Sequence, residues 1–415
     1  LAMKICLIKA SAPSYFKDYK KARGGPPQSV FSAAAATPRH FQLEMHDETI
    51  RMVDPRKVTA DLVVLFFATP DANRGYELAS AFSEKGSQVV IGGLHATFMP
   101  EEAGEYADAV MTGECENVWD ELLQDAQNRS LKPRYTGTYA DMSKLNPYPR
   151  HLITAEQYSW EWSVLVSRGC KHNCSFCLIP GMLGKTRYRP IPDIINEISE
   201  METDWVELHA DHLTEDREYA LELFKALETL KIRWAGETTI RIADDPELLE
   251  AAARSGAKYL LIGIETPSKA ALKRAGKGFV KPENLKSQIS NIHTHGIIVD
   301  TTAIFGFDEH TPEIFIETAK FYHDIGVDIT APAIAIPFPG SRFYKQLEEE
   351  DRLLSDNWGE FDGAHAVYQP KNMTCEELEA GAEEFSQHFY SMSRSASRKL
   401  RQIKDFGLAT TLQIT

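Results

Sequence analysis

Two apolar rhythms alternate along this chain. Short apolar runs of strand length are separated by stretches whose apolar residues fall at i, i+3 and i+4, the spacing of one helix face. Past residue 160 the alternation is regular. "WSVLVSRGC" (162–170), "DWVELHA" (204–210), "IRWAGETTI" (232–240), "KYLLIGIE" (258–265), "IIVDTTAIFGF" (297–307) and "ITAPAIAIPFPG" (329–340) read as strands. "PDIINEISEM", "REYALELFKALETL", "DPELLEAAARSG", "PENLKSQISNIHTHG" and "PEIFIETAKFYHDIG" read as the helices between them. The third of these has Asp at its start and Gly at its stop. Strand–helix units repeated six times in one direction predict a parallel sheet curled into a partial (βα)6 TIM barrel. A barrel short of eight units stays open on one side, with room for a bulky substrate or a second domain. The loops after its strands form the rim that carries chemistry in βα barrels.

The first 150 residues follow the same alternation. "KICLIKA", "QLEMHDE", "DLVVLFFATP", "SQVVIGG" and "DAVMTGE" are strand-like, and "GYELASAFSEKG" and "NVWDELLQDAQ" are helical. This pattern predicts a doubly wound, Rossmann-like α/β domain over 1–140. No G-x-G-x-x-G follows the first strand, which argues against a dinucleotide. "DMSKLNPYPRHLI" (141–153) has the prolines and polar residues of a linker, placed at 141–160. The barrel then spans 161–340 and a short helical C-terminal region 341–415. In that last region "RFYKQLEEEDRLL" and "CEELEAGAEEFSQHFYSMSRSASRKLRQI" are helical, and the aromatic "DNWGEFDGAHAVYQPKNMT" (356–374) reads as packing for the open barrel edge or as cavity lining.

Composition narrows the class. The chain has 415 residues, 43% hydrophobic and 25% charged, as a folded protein of roughly two or three domains has. No apolar run reaches the ~18 residues of a membrane span. "LAMKICLIKA" reads as a first strand and not as a signal peptide. A net charge of −15 disfavours a nucleic acid as the main partner. The densest basic run, "RKLRQIK" (398–404), reads as a solvated helix face. Of six cysteines, Cys6, Cys115 and Cys375 are scattered, so a disulfide framework is not expected and a reducing, cytoplasmic compartment is.

The other three crowd into "RGCKHNCSFC" (168–177) as Cys170, Cys174 and Cys177, in the loop after the first barrel strand. Thiolates bind soft metals, and one loop can supply several. A structural zinc site wants four ligands, so His172 or a distant residue would have to complete it. A C-x-x-C redox pair would use Cys174 and Cys177 and leave Cys170 idle. An iron–sulfur cluster can take three protein thiolates and leave one iron open.

The spacing C-x3-C-x2-C, with Phe176 just before the last cysteine, resembles the signature of the radical SAM superfamily. The resemblance implies a [4Fe–4S] cluster on Cys170, Cys174 and Cys177, with S-adenosylmethionine on the open iron. An electron from the cluster then splits the sulfonium and yields a 5′-deoxyadenosyl radical. It also implies cofactor contacts at matching positions: Gly263 and Glu265 at the end of strand four, Gly306 in "AIFGF" along the adenosine, and Ile336 and Pro337 in "IPFPG" at the adenine. Where the family often has Gly-Gly-Glu, this chain has "LHADH" (208–212), so Asp211 becomes the candidate for the methionyl amine. His209 and His212 are candidate proton carriers, as is His172.

"GGPPQSVFSAAAATP" (24–38), "IGGLHATFMPEEA" (91–103) and "VMTGECENVWDELL" (110–123) resemble the N-terminal cobalamin-binding-type domain found ahead of many radical SAM cores. Gly92, Gly93 and Thr97 are its candidate cofactor residues; the two glycines equally suit a tight strand-to-helix turn. The cobalt-ligating D-x-H-x-x-G is absent, so no lower-face His is expected. The leading expectation is cobalamin-dependent methylation of an unactivated carbon in a small molecule. The alternative keeps the radical step but ends in dehydration, deoxygenation, epimerisation or cyclisation, with the N-terminal domain as a lid. A third is a non-enzymatic cluster protein. The enzymatic versions need a low-potential electron donor of flavodoxin or ferredoxin type.

Overall fold

A computed structural model describes residues 2–12, 25–153, 158 and 162–406. Gly24, part of the linker (154–157 and 159–160), the first position of the barrel (161) and the last nine positions of the C-terminal region lie outside the described residues. The chain divides into two compact units. The first comprises Leu1–Ser163, Gly181–Gly184 and Asp356–Phe361; the second comprises Val164–Pro180, Lys185–Ser355 and Asp362–Thr415.

The first unit is built on a six-stranded sheet. Its strands are β1 (Lys4–Lys9), β2 (Gln42–Asp47), β3 (Leu62–Phe66), β4 (Gln88–Gly92), β5 (Ala109–Thr112) and β6 (Arg134–Thr136), in the order β2-β1-β3-β4-β5-β6 and parallel throughout. Side chains alternate across a strand. Ile5, Leu7, Leu62, Val64 and Val90 therefore enter one apolar core, and Cys6, Ile8, Val63, Leu65, Val89 and Ile91 enter the other. Helix 28–36 and helix 119–127 cover the first face through Val30, Ala33, Trp119 and Leu122; helix 72–84 covers the second through Tyr76, Ala79 and Phe82. The order reverses at β1/β3, the point where doubly wound sheets open a ligand crevice. The sixth strand, Arg134–Thr136, was not expected: three residues with one buried side chain carry too little periodicity to register.

The second unit contains β7 (Ser163–Leu165), β8 (Ser167–Arg168), β9 (Arg187–Tyr188), β10 (Trp205–His209), β11 (Arg233–Thr238), β12 (Ala257–Ile262), β13 (Ile298–Phe305) and β14 (Ile329–Ile334). Its main sheet runs β14-β13-β12-β11-β10-β7, each strand beside the next of its set, with parallel register from β10 to β14. β7 and β14 are its edges, so the sheet stays open among the described residues. The expected first strand is broken. Val166 N donates to His209 O (2.8 Å), its carbonyl accepts from Arg189 N (2.9 Å), and the chain turns into a two-stranded antiparallel ribbon, β8–β9.

Two expectations about the C-terminal region need correction. The segment 356–374 is not one edge-packing element: 356–361 belongs to the first unit, and Val367 and Tyr368 are buried in the second. Nor is "RKLRQIK" simply a solvated face. Arg398 is 4% exposed, stacks 4.0 Å from the Phe389 centroid and donates to Phe389 O (2.5 Å), while Leu400 on the same helix (392–406) is 70% exposed. No described helix is long and apolar enough to cross a membrane.

Candidate active site

The cysteine loop is shaped by its backbone and fastened to the rim. Gly169 (φ +95) turns the chain out of β8, and Cys177 N donates to Cys174 O (3.1 Å), closing a tight turn between two of the thiols. The Asp211 carboxylate accepts from Gly169 N (2.7 Å) and the Glu215 carboxylate from Lys171 N (2.8 Å). Ser175 N donates to Ala275 O (2.9 Å), and its carbonyl accepts from Phe343 N (2.8 Å). Loops after β10, β12 and β14 thus all grip one short segment. The three thiols are free, Cys174 buried and the others half-buried. Burial pushes Cys170 and Cys177 up to about 11 and raises Cys174 as well, while the nearby Lys277 ammonium favours the thiolates of Cys174 and Cys177. Three soft donors on one partly desolvated loop suit an iron–sulfur cluster, which takes them as thiolates. Cys170 also lies with His212 and Glu215 in a group whose ligand atoms fall within 4.8 Å, the start of a zinc-like set that would leave Cys174 and Cys177 unused.

The expected rim residues gather here. Asp211, its carboxyl raised by burial, holds the loop through Gly169. His212 is buried, and its pKa is depressed to about 4 by burial and then by the neighbouring His172 ring, 5.4 Å away. A neutral ring of that kind is a poor proton carrier near neutrality. His172 itself stacks on Phe279 at 4.3 Å. His209 is half-buried at the end of β10; burial pulls its pKa down, but Glu207, Asp211 and Glu237 together outweigh this and raise it. Glu265 is buried with φ +68, a conformation a non-glycine residue adopts at a cost of about 1–3 kcal/mol. Its carboxylate pairs with Lys277 and accepts from Thr302 Oγ1 (2.8 Å). A Cβ on Gly263 would collide with both Lys277 Nζ and the Glu265 carboxylate, so the bare backbone there makes room for the pair. Gly306 (φ +93) accepts from Tyr368 Oη (2.9 Å) through its carbonyl, and a Cβ there would meet that hydroxyl. Ile336 and the buried Pro337 follow β14, and the Phe176 ring lies 6.0 Å from that of Phe307.

Residues 164–322 match the radical SAM superfamily. That segment of the chain is a radical SAM domain. Bacteriochlorophyllide d C-12(1)-methyltransferase of Chlorobaculum tepidum is 28% identical to it over 369 residues, covering 85% of this chain and 80% of that one. Bacteriochlorophyllide d C-8(2)-methyltransferase of the same organism is 26% identical over 351 residues, 80% and 78% of the two chains. The radical S-adenosylmethionine methyltransferase TsrM from Kitasatospora setae, solved with cobalamin and a [4Fe–4S] cluster bound, matches with a TM-score of 0.63 at 14% identity, over 84% of this chain and 78% of that one. That likeness is one of fold.

The radical SAM unit also carries a set of polar side chains that strand reading alone did not single out. On β10–β13 the polar residues Glu207 and His209, Glu237, Tyr259, and Asp300 and Thr302 sit at alternate strand positions and are at least partly open to solvent. Glu237 is reached by solvent yet crowded by protein, and burial followed by the Asp211 charge lifts its pKa to about 7. Asp300 accepts from the Tyr259 hydroxyl and is raised to about 6 by burial. The signal was present as acids interrupting "DWVELHA", "IRWAGETTI" and "IIVDTTAIF", since parallel strands covered on both faces are nearly continuous in apolar residues. Lys277 gave no such signal, lying in an ordinary loop.

In the first unit, four strands end in small residues: Ala10 after β1, Ala68 shortly after β3, Gly92-Gly93 at β4 and Gly113 after β5. Ala10, Gly92 and Gly93 are buried, and a Cβ on Gly113 would collide with Gly137 O, so the fold itself calls for several of these small residues. Gly93 (φ +93) is also required by the fold, because its Cβ would sit 3.1 Å from the Phe67 amide nitrogen and carbonyl oxygen. The Thr97 hydroxyl donates to Gly93 O (2.8 Å) and accepts from Gly113 N (3.0 Å), tying the ends of β4 and β5 together. His95 is buried, with its ring nitrogens against Thr69 Oγ1 (3.2 Å) and Tyr76 Oη (3.0 Å).

Proposed function

We propose that this radical SAM enzyme methylates an unactivated carbon of a small molecule with the help of cobalamin. The observation that carries the reading is that two methyltransferases align with it across both units, not over the radical SAM segment alone. The cofactors would supply radical formation from S-adenosylmethionine and a transferable methyl group. The chain's own share is to hold and to orient. Cys170, Cys174 and Cys177 would ligate the cluster, with Asp211, Glu215, Ala275 and Phe343 fixing their loop. Glu265 and Gly263 would contact S-adenosylmethionine, as the resemblance at those positions implies. The small residues at the ends of β1, β3, β4 and β5 would face cobalamin. The polar face of β10–β13 would orient the substrate.

The test is anaerobic reconstitution with iron, sulfide, S-adenosylmethionine, cobalamin and a low-potential reductant. We expect cobalamin to co-purify by visible absorbance, 5′-deoxyadenosine to form, and the product to gain one methyl. Cys174→Ala should abolish the cluster absorbance and 5′-deoxyadenosine together. A protein that binds no cobalamin, or a product that loses water or two hydrogens instead, would overturn the reading.

A further inference from the structure

The turn after helix 269–274 is buckled onto the cysteine loop. Ser175 N donates to Ala275 O (2.9 Å), and a Cβ on Gly276 (φ +80) would lie only 2.8 Å from Asn173 O. The next residue, Lys277, is thereby sent inward. Its side chain is 12% exposed, its ammonium donates to Gly263 O (3.0 Å) and pairs with Glu265, and it lies 5.9 Å from the centre of the Phe176 ring, whose residue directly precedes Cys177.

Three features converge on this one cation: a glycine at 263 whose Cβ would displace it, a costly left-handed backbone at Glu265, and a lysine taken out of water. A buried ion pair is a weak way to gain stability, since apolar residues of the same volume commonly do as well or better. A loop that merely needed fastening already has Asp211, Glu215, Ala275 and Phe343. The same rim carries the acids Asp211, Glu237 and Glu265, and other cations act on it, Arg168 and Arg187 on Asp211 and Arg342 on Cys174, but Lys277 outweighs Arg342 at that thiol.

We propose that Lys277 is a positioning residue that sets how readily the cluster accepts its electron. The proposal rests on the three cysteines being cluster ligands. Three thiolates and the neighbouring carboxylates make an added negative charge unfavourable, and a fixed ammonium beside them offsets it. In the step affected, one electron passes from an external low-potential donor, which is oxidised, to the cluster; no bond is made or broken. Glu265 has two effects, holding Lys277 in place and partly neutralising it.

The test is a redox titration of the reconstituted protein without S-adenosylmethionine, followed by the electron paramagnetic resonance signal of the reduced cluster. Lys277→Met should shift the midpoint to more negative potential and Lys277→Arg should stay near wild type. Glu265→Gln, which leaves the cation less neutralised, should shift it the other way. Opposite shifts from two partners of one ion pair are not what loss of a structural clasp would produce. Iron content and circular dichroism matching wild type establish that each variant is folded and loaded. Unchanged midpoints in both Lys277→Met and Glu265→Gln, or a positive shift in Lys277→Met, would overturn the proposal. Should Lys277→Met fail to load, Lys277→Gln, which removes the charge and keeps a polar side chain, decides by the same negative shift. A wild-type protein that assembles no cluster would sink the underlying reading instead.

Discussion

Gly306 and Tyr368 are matched to one another across sixty-odd residues of chain. The glycine has φ +93, its carbonyl accepts the tyrosine hydroxyl at 2.9 Å, and an added Cβ would meet that hydroxyl and come within 3.0 Å of Leu378 Cδ2. Gly306→Ala should therefore cost about 1–3 kcal/mol for the backbone alone, plus the collision. Tyr368→Phe should relieve part of the collision while losing a hydrogen bond of about 1 kcal/mol. Urea denaturation of the two single variants and the double variant should show a favourable coupling; simple additivity would mean the hydroxyl does not meet the new methyl. Two other residues make a pH prediction. Asp300 is raised to about 6 by burial, so the fold favours its protonated form, and that contribution is lost as pH rises through about 6. His310 is depressed to about 4 by burial, so the fold favours its neutral ring, and that contribution is lost as pH falls below the ordinary histidine value toward 4. Between about pH 4 and 6 the two slopes oppose. Asp300→Asn should make stability fall as pH drops through this window, and His310→Gln should make it fall as pH rises. Equal, flat urea midpoints across the window in both variants would contradict this.

Elements in the second unit are held by buried polar ties as much as by apolar faces. Helix 191–199 reads as an amphipathic helix, and Ile194 and Ile198 do face the core. Yet Glu197 on the same face is also buried, bonded to Arg189 at 2.6 Å, and Arg189 in turn donates to Leu165 O (3.1 Å) at the end of β7. Glu197→Ala would leave Arg189 with an uncompensated charge and should cost about 3–5 kcal/mol. Helix 392–406 is docked through Asp328, which accepts from His293 (2.8 Å), Val299 N (3.0 Å), Arg401 (2.7 Å) and Gln402 (3.2 Å). Asp328→Ala should cost a similar ~3–5 kcal/mol and release that helix first. Hydrogen exchange should show protection lost over 392–406 ahead of β13; uniform loss across the unit would argue that the helix is held elsewhere. A basic run carries no mark of which of its cations is drawn inward: Arg401 is taken by an aspartate seventy residues earlier in the chain, and Arg398 by the ring and carbonyl of Phe389. That is why the solvated reading of 398–404 failed while the helix itself was legible.

At the scale of the whole molecule, legibility followed the range of the interactions. Strands and helices were legible because their periods are local, and the cluster ligands were legible because one loop carries all three. Lys277 was not, because its proximity to the cysteines depends on Ser175 meeting Ala275, a contact made only once β7 and β12 share a sheet. The same holds for the aromatic segment near the C-terminus. Its composition marked it as a packing element, but the unit it joins is set by distant partners. Trp358 donates its indole N–H to Glu102 (2.7 Å), meets His95 edge-on (5.1 Å) and Phe361 at a tilt (5.0 Å), and Asn357 accepts from Asn73 (2.7 Å). These partners lie in helix 72–84 and the segment after β4, so the first unit depends on residues the chain supplies only after most of the second has been made. Trp358→Ala removes a half-buried indole and leaves Glu102 without that donor, at a cost of about 2–4 kcal/mol. The loss should be confined to one unit: hydrogen exchange should quicken in helix 72–84 and in 94–98 and stay as in wild type across β10–β14. Exchange that quickens equally in both units would mean that they unfold together.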